Sequence, residues 1–142
     1  MLRLMEAEHL DVAILDRATS GLPILATCAG VILLARATRP PQPCFGLLDV
    51  DVERNAYGRQ VHSRVATVEL SGELGGPERM AGVFIRAPRV TRTGPGVSVF
   101  GRLGHDPVLL REGRLIAATF HPELGDDRRV HELLVAIADR RV

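Results

Sequence analysis

The sequence predicts an α/β fold, a sheet with flanking helices, on three observations. A strand-length apolar run, "PILATC", passes directly into a helix-like segment, "AGVILLARA". A series of short runs rich in valine, leucine and phenylalanine follows, separated by glycine and proline. The chain then closes on an amphipathic helix pattern. With 142 residues, 46% of them hydrophobic, it has the length of one ordinary domain and the apolar surface to bury a core, so residues 1–142 are read as a single domain.

Taken in order, "MLRLMEAEHLDVAILDRATSG" spaces Leu4, Ala7, Leu10, Ile14, Leu15 and Ala18 at helical intervals. It predicts a helix, or two short ones, begun without a cap and ended by Gly21 and Pro23. "PILATC" predicts a strand, and "AGVILLARA" a helix whose first turn begins at Cys28. "RPPQP", from Arg39 to Pro43, is loop, because its three prolines remove N–H donors and fix φ. Strands are predicted in "FGLLDVDVERN", "RQVHSRVATVEL", "RMAGVFIRAP", "VSVFGRL", "PVLLREG" and "RLIAATFHP". "DDRRVHELLVAIADRR" closes the chain as a helix with an acidic start and Val130, Leu133, Leu134, Ile137 and Ala138 on one face. A parallel sheet of this class alternates several strands with helices, yet one strand–helix unit precedes the proline loop. The first part of such a domain is therefore expected to be missing.

Charge announces no partner. Eighteen basic and seventeen acidic residues are scattered without runs, which gives no footprint for nucleic acid or an anionic membrane. Every basic residue is arginine, and lysine is absent. The chain alone therefore forms no lysine Schiff base with pyridoxal phosphate or a carbonyl substrate, and has no P-loop lysine; no cofactor is expected. Two cysteines make no disulfide framework, no leader pattern opens the sequence, and no apolar run has the roughly 20 residues that span a bilayer. A soluble, cytoplasmic setting is expected.

"ATCAG" has the form small-x-nucleophile-x-Gly, the frame of a nucleophile elbow, in which a side chain is thrust from a sharp strand-to-helix turn. Ala26 and Gly30 suit it because the turn brings backbones close. A helix start favours a thiolate at Cys28 near neutral pH, and the Ala29 N–H is placed to meet an oxyanion. The bland alternative is a small buried hydrophobe. A thiolate also needs a base, and "TFHPEL" supplies one: His121 follows an apolar run, with Glu123 two residues on. That carboxylate can hold Nδ1–H and leave Nε2 free for the sulfur. His9, His62, His105 and His131 read as surface residues, Cys44 as structural, and no His/Cys spacing resembles a zinc site.

The chain resembles the glutaminase subunits of pyridoxal 5′-phosphate synthase, which are class I triad glutamine amidotransferases. The matching pieces are "TCAG", "GLLDVDVERNAYGRQV", "GVFIRAP" and "FHPELGDDRRVHELL", in order across nearly the whole chain. "ERNAYGRQ" and "FIRAP" are distinctive of the subfamily. The resemblance implies a flavodoxin-like three-layer sheet, with Cys28 as nucleophile, His121 as general acid/base and Glu123 orienting it. It also implies that Arg54, Ile85 and Arg86 bind L-glutamine; a guanidinium fork suits the free α-carboxylate. The ammonia would pass to a synthase subunit of the PdxS/SNZ type in a hetero-oligomer, where the imine chemistry lies.

The chain departs from the family pattern at Ala26, usually glycine, and at Tyr57, usually phenylalanine. Family members also begin with a strand, a helix and a strand ending in a Gly-Gly-Glu-Ser loop, and "MLRLMEAE" resembles the helix after that loop. The resemblance thus implies a missing front end, including part of the oxyanion hole, whose donors are worth ~3 kcal/mol each at comparable sites. Two alternatives stay open: a non-catalytic remnant that docks on the synthase, and the glutaminase of another amidotransferase.

Overall fold

The computed structural model describes residues 2–56 and 63–139; Tyr57 and His62 lie outside them. The opening apolar pattern forms two helices, α1 (Leu2–Ala7) and α2 (Leu10–Thr19), because His9 turns left-handed between them at φ 56°. Neither helix buries a residue. Leu4, at 75% exposure, belongs to a stripe regular enough to make helix but left outside the core.

β1 (Ile24–Thr27) follows, then α3 (Ala29–Leu34). "AGVILLARA" is not one helix. At Ala35 the backbone turns extended and continues as β2 (Ala35–Arg39), which pairs in parallel with β3 (Leu48–Glu53). Helix propensity here yields to burial, since Ala35 and its partner Leu48 are both at 0% exposure. β4 (Arg64–Leu70), β5 (Arg79–Phe84), β6 (Arg89–Thr93), β7 (Ser98–Leu103), β8 (Asp106–Glu112) and β9 (Leu115–Ala118) come next. A 3₁₀ turn at Pro122–Leu124 and α4 (Arg129–Asp139) end the described chain. β6 buries one strand residue, Val90, which is why its polar sequence carries no strand signal.

The main sheet has the order β1-β9-β8-β7-β4-β5, and a smaller one the order β2-β3-β6. Among the described residues only β1–β9 and β2–β3 are parallel pairs. The remaining pairs are antiparallel, so much of the sheet is built from neighbours joined by short loops rather than by helical crossovers. β8 and β9 are buried on both faces. Along them Val108, Leu109, Ile116 and Ala118 join one core with Phe84, Phe120 and α4, while Leu110 and Ala117 join a second with α3 and the small sheet. This two-sided burial explains the unbroken apolar run of β9.

α4 turns Val130 and Ile137 inward and packs Leu133 and Leu134 partly; Ala138 is exposed, off the expected face. Arg129 ties its first turn to the β4–β5 connection. The guanidinium donates to the carbonyls of Gly75 (2.9 Å), Pro77 (2.6 Å) and Arg79 (3.0 Å), and pairs with Asp127 at 2.6 Å. Arg129→Ala strands three carbonyls and a carboxylate together. It is expected to lower unfolding stability by ~2 kcal/mol in a urea titration, whereas Arg128→Ala, on an exposed side chain, leaves the midpoint unchanged.

Candidate active site

Parallel pairing puts the C-terminal ends of β1 and β9 side by side, with Thr27 opposite Ala118. Cys28 leaves one end, and Thr119, Phe120 and His121 leave the other. Three backbone and side-chain bonds stitch this corner. The Cys28 N–H donates to the Ala118 carbonyl (2.8 Å), the His121 N–H to the Val83 carbonyl (2.8 Å), and the Cys28 thiol to the Ile85 carbonyl (3.4 Å). The main sheet curls enough for its far-edge strand β5 to reach His121 through the antiparallel Val83–His121 bridge.

Cys28 sits at φ 48°, ψ −109°, a backbone conformation that non-glycine residues rarely adopt. The strained turn of a nucleophile elbow is therefore present. Its neighbours are small for a reason: a Cβ placed on Gly30 would come within 3.3 Å of the Ala26 Cβ. The alanine that replaces the family's usual glycine at position 26 is already close to the limit.

Cys28 and His121 line one cavity of about 410 Å³, together with Ala26, Ala29, Gly30 and Phe45. No hydrogen bond joins sulfur and imidazole; the thiol donates to the Ile85 carbonyl. On the other side of the ring Nδ1–H donates to Glu123 Oε1 at 2.6 Å. Burial works against the charge of Glu123, but the His121 hydrogen bond and the positive fields of His121 and His131 outweigh it, holding the carboxyl below its ordinary range.

The thiol moves the other way. Burial pushes Cys28 up, the Ala29 N–H pulls it down, and the charge of Glu123 pushes it up again, for a net rise. The expectation of a thiolate favoured by a helix start is not met, because α3 has six residues and the sulfur is half-buried. The Ala29 N–H is directed at the sulfur itself.

Of the other expected residues, Ile85 meets Cys28 through its carbonyl. Arg86 is exposed at φ 47° and lines neither this cavity nor its neighbour. Arg54, just past β3, lines the neighbouring cavity with Ala29. Sequence reasoning missed the Ile85 carbonyl as the thiol's partner, since a main-chain acceptor carries no side-chain signal. Cys44 and Cys28 are both free, and among the described residues no cluster of three metal-ligating side chains forms.

A profile of the SNO glutamine amidotransferase family matches residues 1–139. The chain belongs to this family. It is 47% identical over 132 residues to the pyridoxal 5′-phosphate synthase subunit PdxT of Thermotoga sp. (strain RQ2), a match covering 92% of this chain and 69% of that one. The PdxT subunit of Solibacter usitatus is 47% identical over 142 residues, with 96% of this chain and 72% of the relative covered. Among solved structures, a crystal structure of a glutamine amidotransferase superposes with a TM-score of 0.85 at 41% identity, covering 96% of this chain and 72% of the other. The mixed α/β sheet with flanking helices is therefore the class I glutamine amidotransferase fold of this family.

Two outcomes are expected from the geometry. Cys28→Gly removes the positive-φ strain and should raise stability by ~1 kcal/mol in urea unfolding; a fall would show that the turn is unstrained. Glu123, with its folded-state pKa depressed, contributes stability that is present above the unfolded carboxylate value of about 4.3 and lost as pH falls through the lower folded one. The stability gap between the parent and Glu123→Gln should therefore close on acidification across that window, read as converging midpoints in pH-stepped unfolding.

Proposed function

We propose that the chain hydrolyses L-glutamine to glutamate and ammonia, with Cys28 as nucleophile, His121 as general acid/base and Glu123 as the orienting carboxylate. The reading extends to delivery of that ammonia to a synthase subunit making pyridoxal 5′-phosphate, as the names of the PdxT relatives suggest. One observation carries it. Cys28 and His121 face the same cavity from the ends of adjacent parallel strands, with Glu123 on the far nitrogen of the ring.

The chemistry follows from the protonation states. The raised thiol needs a base at the moment of attack, and Nε2 of His121, freed by the Nδ1–Glu123 bond, takes the proton. Sulfur attacks the side-chain amide carbon, whose oxygen becomes an oxyanion facing the Ala29 N–H. The C–N bond breaks as the imidazolium gives its proton to the departing nitrogen, leaving a thioester and ammonia. Water, deprotonated by the same histidine, cleaves the thioester and regenerates the thiol. Arg54 of the neighbouring cavity and the Ile85 main chain beside the sulfur border the remainder of the substrate in this reading, whereas Arg86, which the resemblance also implies, lines neither cavity; residues 1–142 act as one glutaminase domain. A reactive free thiol calls for a reducing setting, hence the cytoplasm; among the described residues no helix is long and apolar enough to cross a membrane.

The test is ammonia release from L-glutamine with the synthase subunit present. Cys28→Ala should lose roughly a thousandfold or more, and His121→Ala about as much, since members of one catalytic unit fail together. A glutamine-shaped diazoketone should add covalently to Cys28, visible in the intact mass. Equal ammonia rates for the parent and Cys28→Ala would overturn the mechanism.

A further inference from the structure

Thr119, at 1% exposure, is the single polar side chain buried among the described residues, and its hydroxyl finds no hydrogen-bond partner there. A valine would fill the same volume without leaving a donor and acceptor unpaired, so the hydroxyl is a cost to the fold. Its place in the sheet singles it out. Ala26 and Ala117 are register partners, and the bond from the Cys28 N–H to the Ala118 carbonyl (2.8 Å) carries the same parallel register past the strand ends, which makes Thr119 the residue opposite Cys28. Neighbouring strands lie about 4.8 Å apart, so side chains at opposite positions come within reach of each other. Ile116, Ala118 and Phe120 turn to the core that holds α4, while Ala117 turns to the core of Ala26 and α3. Thr119 alternates with Ala118 and Phe120 and so turns to the α3 side, where Cys28 opens that helix.

We infer that Thr119 is a positioning residue for Cys28, its hydroxyl donating to the sulfur once the thiol proton has passed to Nε2 of His121; the inference rests on the glutaminase reading above. In the resting thiol, S–H donates to the Ile85 carbonyl. A carbonyl oxygen is an acceptor only, so when the proton leaves, that contact turns from a bond into a repulsion and the sulfur needs donors. The Ala29 N–H is one. The Thr119 O–H is the other: it is uncommitted in the resting fold, and a hydroxyl rotates toward an anion without moving the backbone. The step balances. S–H becomes a thiolate, the imidazole becomes an imidazolium, and Thr119 keeps its own proton in an O–H···S bond that is released when sulfur joins the amide carbon. The other groups that set the charge at the sulfur are His121 across the cavity and Glu123 behind its ring, with the exposed Arg86 next to Ile85. Apart from Cys28 and His121, the residues lining the cavity carry no titratable side chain.

The experiment follows the rate at which iodoacetamide alkylates Cys28 across about pH 6 to 10, in the full chain without glutamine. The adduct is read on the Cys28 peptide, so that the free Cys44 does not contribute. Thr119→Val should move the midpoint of the profile up by about one pH unit, a tenfold loss of thiolate at any pH well below it. Thr119→Ser keeps the hydroxyl and should restore the parent midpoint, while Thr119→Ala, which cannot crowd its neighbours, should shift as Thr119→Val does. Urea unfolding of Thr119→Val should be unchanged or later, since an unpaired group has been removed. An unmoved midpoint in Thr119→Val and Thr119→Ala, a Thr119→Ser profile displaced as far as theirs, or earlier unfolding of Thr119→Val overturns the assignment. The glutaminase reading fails separately. An unmoved midpoint in a chain that still releases ammonia through Cys28 sinks the role of Thr119 alone, and a moved midpoint in a chain that releases none sinks the hydrolysis and leaves the hydroxyl–sulfur bond standing.

Discussion

The parallel register of β1 against β9 is the constraint on which the rest of the corner depends. Ile24 to Thr27 lie opposite Leu115 to Ala118, so two segments nearly a hundred residues apart end at the same edge of the sheet. A slip of one residue would send the side chains of β1 to the opposite face and take Ala26 out of the core it shares with Val31, Leu34 and Ala117. Burial of those apolar residues is thus what fixes where the sulfur and the imidazole emerge. The hydrogen bond from the Cys28 N–H to Ala118 then locks the turn to the strand beside it.

Within that frame the site holds opposing demands. Cys28 keeps an unfavourable backbone conformation because both flanking elements are anchored, β1 to β9 and α3 through the buried Val31 and Leu34. Glu123 holds the His121 ring, yet its negative charge also opposes ionisation of the nearby thiol. Orientation of the imidazole therefore comes at the expense of resting thiolate, and the Ala29 N–H compensates only in part.

Much of this was legible in the residues themselves. "ATCAG" and "FHPEL" announce a presented cysteine and a supported histidine because their spacing encodes local geometry that survives folding. The amphipathic face of α4 reads correctly at Val130 and Ile137 and fails at Ala138, where a small side chain sits at the boundary of the stripe. β2 was hidden because Ala35–Arg39 continues a helix-forming run and becomes a strand only by pairing with β3, a partner defined by tertiary structure. β6 was hidden for the opposite reason: nearly all of its residues are polar, and its place is set by hydrogen bonds to β3 rather than by its own apolar pattern. The elevated thiol was illegible because it depends on how deeply the sulfur is sunk, a property that no motif records.

That depth has a chemical corollary. A sulfur kept as S–H, with its hydrogen engaged by a main-chain carbonyl, is a sluggish target for peroxides and alkylating metabolites, which react with the ionised form. The half-buried, hydrogen-bonded sulfur of Cys28 is therefore less open to such reagents than an exposed, ionised thiol. The same placement that delays ionisation acts as a chemical safety catch.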